Sequence, residues 1–166
     1  FKFYSTGLVA YLSNTLIIKW TNLLMGILLF ISDRTIVKNT IDNNLNIKNI
    51  LIIGIFQILA IIPGVSRSGI IITISRFLKF DRVDSSKISF YLSIPALAAA
   101  SVLSIKDVMN SNLDLNFIFI YSIIFSFLIS YFTIKYFLIY VKNFNLNIFV
   151  YYRTFLAFIL FLIAYS

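Results

Sequence analysis

The sequence contains no cysteine, no histidine and no glutamate, and its six acidic residues are all aspartates. Without cysteine it can form neither a disulfide framework nor a thiolate metal site. Without histidine and glutamate it lacks most of the side chains that usually serve as general bases or zinc ligands. Charged residues make up only 12% of the chain, about half the share found in soluble domains. These absences exclude a typical water-soluble enzyme or metalloprotein.

Apolar side chains dominate instead, since 60% of the residues are hydrophobic and 17% are aromatic. The formal net charge of +8 would suggest a nucleic-acid partner in a soluble chain. Here the basic residues lie between apolar segments, which is typical of the cytoplasmic loops of membrane proteins. We therefore predict an integral membrane protein and no nucleic-acid partner.

The apolar residues fall into runs that are expected to be helical, because lipid offers no hydrogen-bond partner to an exposed backbone. The longer runs approach the about 20 residues that cross the hydrocarbon layer; they are 15–31, 88–105, 117–134 and 148–165. The pattern predicts an all-α integral membrane protein, a multi-span helical bundle that forms a single membrane domain over residues 1–166. Because the chain begins at Phe1 rather than at methionine, we expect it to be part of a longer protein.

Residues 50–80 depart from this pattern. Ile50–Ile62 has thirteen residues and reaches about 20 Å as a helix, which is too short to cross the membrane. Pro63 and Gly64 should end it. The segment is either a re-entrant helical hairpin or one kinked span. The loops at 32–49 and 76–87 are both basic, and the bias of basic loops to the cytoplasm favours the hairpin, which returns both to one side.

The turn of this predicted hairpin is a candidate anion site. Gly64, Ser66, Arg67, Ser68 and Gly69 precede the second apolar piece, and the N-terminus of a helix attracts anions. The guanidinium of arginine forms paired hydrogen bonds to phosphate, and an arginine at membrane depth is usually functional. The alternative is a polar turn in which the arginine pairs with helix carbonyls or a lipid headgroup.

Two other polar side chains have simpler interpretations. Gln57 is expected to hydrogen-bond a neighbouring helix. Arg153 follows Tyr151 and Tyr152 and is interpreted as an interfacial anchor at the cytoplasmic end of the last span.

The segment Gln57–Gly69 closely resembles the second signature of the undecaprenyl-diphosphate phosphatases, the bacterial membrane enzymes linked to bacitracin resistance. Residues 88–96, 129–135 and 149–153 also resemble later helices of that family, in the same order. The resemblance covers nearly the whole chain. It implies a multi-pass protein of the bacterial plasma membrane, with two inverted repeats that each contain a re-entrant hairpin.

The resemblance also implies hydrolysis of a polyprenyl diphosphate lipid, undecaprenyl diphosphate, to the monophosphate and inorganic phosphate. This reaction recycles the lipid carrier for peptidoglycan synthesis. Arg67 and Ser66 are then the expected catalytic residues. The phosphate-binding set is Gly64, Ser66, Arg67, Ser68 and Gly69. The family implies a divalent cation, Mg²⁺ or Ca²⁺, whose ligands are not in this chain, and a homodimer is compatible with the pattern.

The sequence departs from the family at two places. Ile71 stands where the family usually has threonine, and Thr73 is the nearest threonine. The family's first signature, a Glu-x-x-x-Glu pair followed by a Ser-Ser-Thr-Gly-His segment, is missing. Ser5-Thr6-Gly7 matches part of that segment, and we interpret the match as chance. We therefore expect this chain alone to be inactive. The alternative function is a non-enzymatic carrier or flippase that binds an anionic lipid or solute at the hairpin.

Overall fold

A computed structural model describes residues 15–109 and 117–165, and they are predominantly helical. The Ser5-Thr6-Gly7 segment lies outside the described residues. The helices are α1 (Thr15–Asp33), α2 (Ile41–Asn44), α3 (Ile47–Gln57), a 3₁₀ turn (Ile58–Ile61), α4 (Arg67–Phe77), α5 (Arg82–Met109), α6 (Phe117–Asn143) and α7 (Asn147–Tyr165). The all-α prediction is confirmed for this part of the chain.

The chain divides into two compact units, and the first holds the candidate site. Its described residues are 15–89 and 145–165. In it, α1 packs against α7 and α4, and α3 packs against α4. Near the start of α1, the ring of Trp20 meets that of Phe161 edge to face, with the ring centroids 5.4 Å apart. Further along α1, a Cβ on Gly26 would lie 3.6 Å from the Cβ of Arg153, near the start of α7. Because the contacts run in opposite order along the two helices, α1 and α7 are antiparallel.

Residues 47–77 form a helical hairpin within this unit. Asn46 caps α3 by accepting a hydrogen bond from the amide of Asn49 at 2.9 Å. The first arm ends at Ile61, just before Pro63 and Gly64, as the sequence predicts. The chain then turns, and α4 runs back alongside α3.

The two ends of the hairpin meet at its base. The amides of Lys38 and Asn39 both donate to the carbonyl of Lys79, at 2.9 and 3.0 Å. The side-chain amide of Asn39 donates to the Leu78 carbonyl at 2.7 Å. Lys79 adopts a left-handed backbone conformation at the bend (φ 68°). The basic loops before and after the hairpin therefore lie side by side, as a chain that enters and leaves at one end requires.

The buried carboxylate of Asp33 joins four parts of this base. Arg82 binds it through two nitrogens, at 2.6 and 3.1 Å, and the amide of Leu146 donates to it at 3.2 Å. Nε of Arg76 lies 3.8 Å away. The ends of α1 and α4, the start of α5 and the turn before α7 thus share one negative charge.

Arg76 completes the base from the last turn of α4. The sequence groups it with the basic residues of the following loop, but it is 2% exposed. Its terminal nitrogens donate to the carbonyls of Phe80 at 2.7 Å, Asp33 at 2.9 Å and Thr35 at 3.0 Å. Burial is tolerated because the charge is held by a carboxylate and by backbone oxygens.

The second unit comprises described residues 90–109 and 117–144. Within it, the rings of Phe90 and Phe137 meet edge to face at 5.7 Å. Two helices of the described chain are long and apolar enough to cross a membrane, over Arg82–Ile105 and Ile120–Asn143. Most side chains along Ile120–Tyr136 are exposed although they are apolar or aromatic, which suits contact with lipid.

We expect Asp33→Asn to lower the free energy of unfolding by about 3–5 kcal/mol, because it leaves the buried guanidinium of Arg76 without its counter-ion. Unfolding can be followed by circular dichroism in detergent micelles. The matched control is Lys87→Ala, which removes the exposed ion pair between Lys87 and Asp84 (3.6 Å) and should cost about 0–1 kcal/mol. Equal losses in the two variants would contradict the central role of Asp33.

Candidate anion-binding site at the hairpin turn

The turn of the hairpin packs against the N-terminal half of α1. The hydroxyl of Thr21 donates to the carbonyl of Pro63 at 2.8 Å. Gly64 has φ +90°, and a Cβ there would collide with Oγ1 of Thr21 and lie 2.9 Å from the carbonyl oxygen of Ile18. Glycine is therefore needed at this position both for its backbone conformation and for the close approach to α1.

Ser66 is the N-cap of α4. Its side-chain oxygen accepts a hydrogen bond from the amide of Gly69 at 3.2 Å and lies 3.2 Å from the hydroxyl oxygen of Ser68. Its carbonyl accepts from Ile70 at 2.9 Å. The amides of Arg67 and Ser68, in the first helical turn, donate to no group in the described chain. They form the open positive end of the helix dipole.

The side chains of Arg67 and Ser68 are exposed at this end of the helix, and Ser66 is half-buried. The guanidinium of Arg67 forms no ion pair or hydrogen bond with any residue that the structure describes. The alternative, in which this guanidinium pairs with helix carbonyls, is therefore not observed among the described residues. The predicted phosphate-binding residues 64 and 66–69 are contiguous around the start of α4.

Arg153 also reaches this turn, which the sequence does not predict. A Cβ on Gly69 would lie 2.8 Å from a terminal nitrogen of Arg153, so glycine leaves the space that this guanidinium uses. Its other terminal nitrogen is buried and has no hydrogen-bond partner in the described chain. The interpretation of Arg153 as an interfacial anchor is therefore wrong. The resemblance of residues 149–153 to the phosphatase family was the only sequence signal for a further role.

The close packing of α1 against α7 sets the position of Arg153. The Cβ of Arg153 and the hydroxyl of Thr154 lie 3.6 and 3.7 Å from the place where a Cβ on Gly26 of α1 would be, which is van der Waals contact. The guanidinium can then extend across to α4. Two arginines from distant parts of the sequence consequently lie near one helix N-terminus.

Thr73 does not replace the threonine that Ile71 displaces. Its hydroxyl donates to the carbonyl of Gly69 within α4 at 2.8 Å, and the side chain is buried. Ile71 is also buried and offers no polar atom. The candidate anion-binding site, called the cradle below, therefore consists of the amides of Arg67 and Ser68, the hydroxyls of Ser66 and Ser68, and the guanidinium groups of Arg67 and Arg153.

Carboxylates lie at the opposite end of α4 from this cradle. Asp33 is held by two arginines, Asp81 accepts from the amide of Asp84 at 2.6 Å, and Asp84 accepts from the amide of Ile41 at 3.0 Å. No group of three metal-ligating side chains occurs in residues 15–109 and 117–165. The described residues therefore do not fit a divalent cation.

The candidate site is thus a serine-capped helix N-terminus with two nearby arginines, on a helical hairpin of an apolar, helical chain. Comparison with known proteins identifies the family of the chain. Residues 3–159 match the family described as "Bacitracin resistance protein BacA". The chain is 54% identical over 163 residues to the undecaprenyl-diphosphatase of Pelagibacter ubique (strain HTCC1062), covering 98% of this chain and 64% of that protein.

Other relatives carry the same name. The undecaprenyl-diphosphatase of Elusimicrobium minutum (strain Pei191) is 46% identical, over 74% of this chain and 47% of its own length. That of Thermodesulfovibrio yellowstonii is 36% identical, over 93% of this chain and 60% of its own length. The chain spans less than two thirds of the length of these relatives. It belongs to the bacitracin resistance protein BacA family, which confirms the resemblance seen in the sequence.

Proposed function

We propose that the chain is part of an undecaprenyl-diphosphatase, which hydrolyses undecaprenyl diphosphate to undecaprenyl phosphate and inorganic phosphate. The reaction returns the lipid carrier to peptidoglycan synthesis and accounts for bacitracin resistance in the family's name. The observation that carries the proposal is the serine-capped start of α4 with Arg67 exposed beside it. The names of the relatives support the same substrate.

The cradle suits a diphosphate because it combines charge with directed donors. The open amides of Arg67 and Ser68 donate to phosphoryl oxygens, together with the serine hydroxyl whose hydrogen is not used between Ser66 and Ser68. In hydrolysis, a water oxygen bonds to the terminal phosphorus while the bond from that phosphorus to the bridging oxygen breaks. Negative charge grows on the bridging oxygen and is spread over the phosphoryl oxygens, so a fixed guanidinium stabilises the transition state. Arg67 supplies that group, and Arg153 supplies a second charge beside Gly69.

The hairpin is re-entrant in this proposal, and its turn faces the outer half of a bacterial plasma membrane. The loops at 34–46 and 78–81 and the turn at 144–146 gather around Asp33 at the base. Basic residues mark this end, including Arg34, Lys38 and Lys79, which supports a cytoplasmic location for it. A multi-pass arrangement built from inverted repeats follows from the family resemblance.

Labelling of introduced cysteines tests this topology, because the chain has no cysteine of its own. We expect Lys48→Cys and Lys87→Cys to react only from the cytoplasmic side, since both flank the base of the hairpin. Ser68→Cys, at the turn, should react from the outside. Labelling of positions 48 and 87 from opposite sides would contradict the hairpin and restore the single kinked span.

Removal of Arg67 tests the catalytic proposal. We expect Arg67→Ala, in the complete protein, to lower turnover by about 10²–10³, as for loss of one donor to a developing anion. Arg67→Lys should also be impaired, because lysine keeps the charge and loses the bidentate fork. The measurement is phosphate release from a polyprenyl diphosphate. Arg34→Ala is the matched control, since Arg34 is an exposed arginine at the base and should leave turnover unchanged.

Two outcomes of this assay would contradict the proposal. Normal turnover by Arg67→Ala would remove Arg67 from the reaction. Tight binding of the diphosphate by the complete protein without phosphate release would favour a carrier or flippase instead. The isolated 166 residues, which contain no glutamate or histidine, are expected to release no phosphate, and robust turnover by them would show that the cradle is sufficient.

Gly69→Ala tests the contribution of Arg153 without removing its charge. The added methyl group would displace the guanidinium, whereas alanine otherwise favours a helix by about 0.5–1 kcal/mol over glycine. We expect turnover to fall about tenfold, the effect of about 1.4 kcal/mol in the barrier, with no loss of thermal stability. Arg153→Lys should lower turnover as well.

Gly54→Ala is the control for this variant, because a Cβ at Gly54 has nothing within 4 Å. The methyl group on Gly69 would also press on Ser66, at 3.3 Å, and Arg153→Lys separates the two causes. Unchanged turnover in both Gly69→Ala and Arg153→Lys would exclude Arg153 from the cradle.

A further inference from the structure

We propose that the apolar cavity between α1 and the two arms of the hairpin receives the isoprenoid tail of the diphosphate, and this inference rests on the proposed function. The cavity has a volume of about 390 Å³, within the range of ordinary ligand pockets. Leu24, Met25 and Leu28 of α1 form one wall. Phe56 and Leu59 of the first arm and Ile74 of the second arm form the others.

The polar side chains of this cavity are turned away from its interior. Thr21 and Thr73 both line it, but their hydroxyls donate to the carbonyls of Pro63 and Gly69, each at 2.8 Å. The two threonines therefore have no hydroxyl hydrogen left for a ligand. Water needs two to four polar partners to stay in a cavity, and an empty void destabilises a fold in proportion to its volume. A hydrocarbon chain is the occupant that this lining suits.

The cavity is continuous with the cradle along the backbone. Val65 immediately precedes Ser66, Ile70 immediately follows Gly69, and both line the cavity. On α4 the lining runs from Ile70 to Phe77, which is about 10 Å at the rise of an α-helix. A diphosphate held at the start of α4 can thus pass its chain directly into the space between the arms. The cavity would hold the isoprene units nearest the diphosphate.

The cradle distinguishes the substrate from bulk lipid. A phospholipid also has a hydrocarbon chain and a phosphate, but that phosphate is a diester with one negative charge. The terminal phosphate of a prenyl diphosphate carries more charge and suits the amides, Arg67 and Arg153 better. The occupant is therefore the tail of the prenyl diphosphate, and a phospholipid acyl chain is the competing ligand.

Filling the cavity tests this inference in the complete protein. We expect Leu28→Trp and Ile74→Phe to raise the KM for a polyprenyl diphosphate about tenfold. Hydrolysis of methyl diphosphate, which has no tail, should be unchanged. Ile124→Trp is the matched control, because Ile124 is exposed on α6. If the wild type releases phosphate and the filled variants keep the KM of the wild type, the tail does not use this cavity. No phosphate release by the wild type would instead contradict the proposed function.

Photo-crosslinking needs neither turnover nor a stable variant. A farnesyl diphosphate with a diazirine on its second isoprene unit should label peptides that contain Met25 or Ile74 in the wild-type protein. An excess of unlabelled undecaprenyl diphosphate should suppress this labelling. Labelling confined to α6 would overturn the inference, and so would equal labelling of the cavity by a diazirine phospholipid.

Discussion

The buried carboxylate of Asp33 is the constraint on which the candidate site depends. A carboxylate in an apolar surrounding must be paired and hydrogen-bonded, and this one takes Arg82, Arg76 and a backbone amide. The partners come from the ends of separate helices, so satisfying one charge fixes the base of the hairpin relative to α1 and α7. The turn lies about 15 Å away, at the other end of α4, and its position is set by that base. The cradle therefore lies on helices whose opposite ends are held in place by the contacts of Asp33.

Charges with a partner and charges without one lie at opposite ends of α4. Aspartates and their arginines occupy its C-terminal end, where the helix dipole is negative, and arginines without a described carboxylate partner stand at its N-terminal end. Burying a guanidinium costs free energy unless an anion or a carbonyl meets it. At the base that requirement is met within the protein. At the turn it is left for a ligand, and the unpartnered nitrogen of Arg153 fits this division.

Features that depend on neighbouring residues could be predicted from the sequence. Pro63 and Gly64 end the first arm because neither continues a helix, and Ser66 caps the second because its oxygen meets an amide three residues on. Features that depend on packing could not. Arg76 resembles a loop charge in the sequence, and Arg153 resembles an anchor, because only the contacts of α1 with α4 and α7 bury them. The start of α5 at Arg82 is instead a local feature, because Asp81 caps the helix by accepting a hydrogen bond from the amide of Asp84 at 2.6 Å.

The two glycines of the turn meet different steric demands, and together they join the cradle to the cavity. Gly64 lets the backbone reverse direction against α1, and the next residue, Val65, lines the cavity between the arms. Gly69 leaves room for a guanidinium from α7 on the other side of the same turn. A methyl group at either position would therefore disturb a different contact, one with α1 and the other with α7. In the proposed function the residues between these glycines donate to phosphate, so that one short turn would hold a charged headgroup while Val65 and Ile70 begin an apolar path.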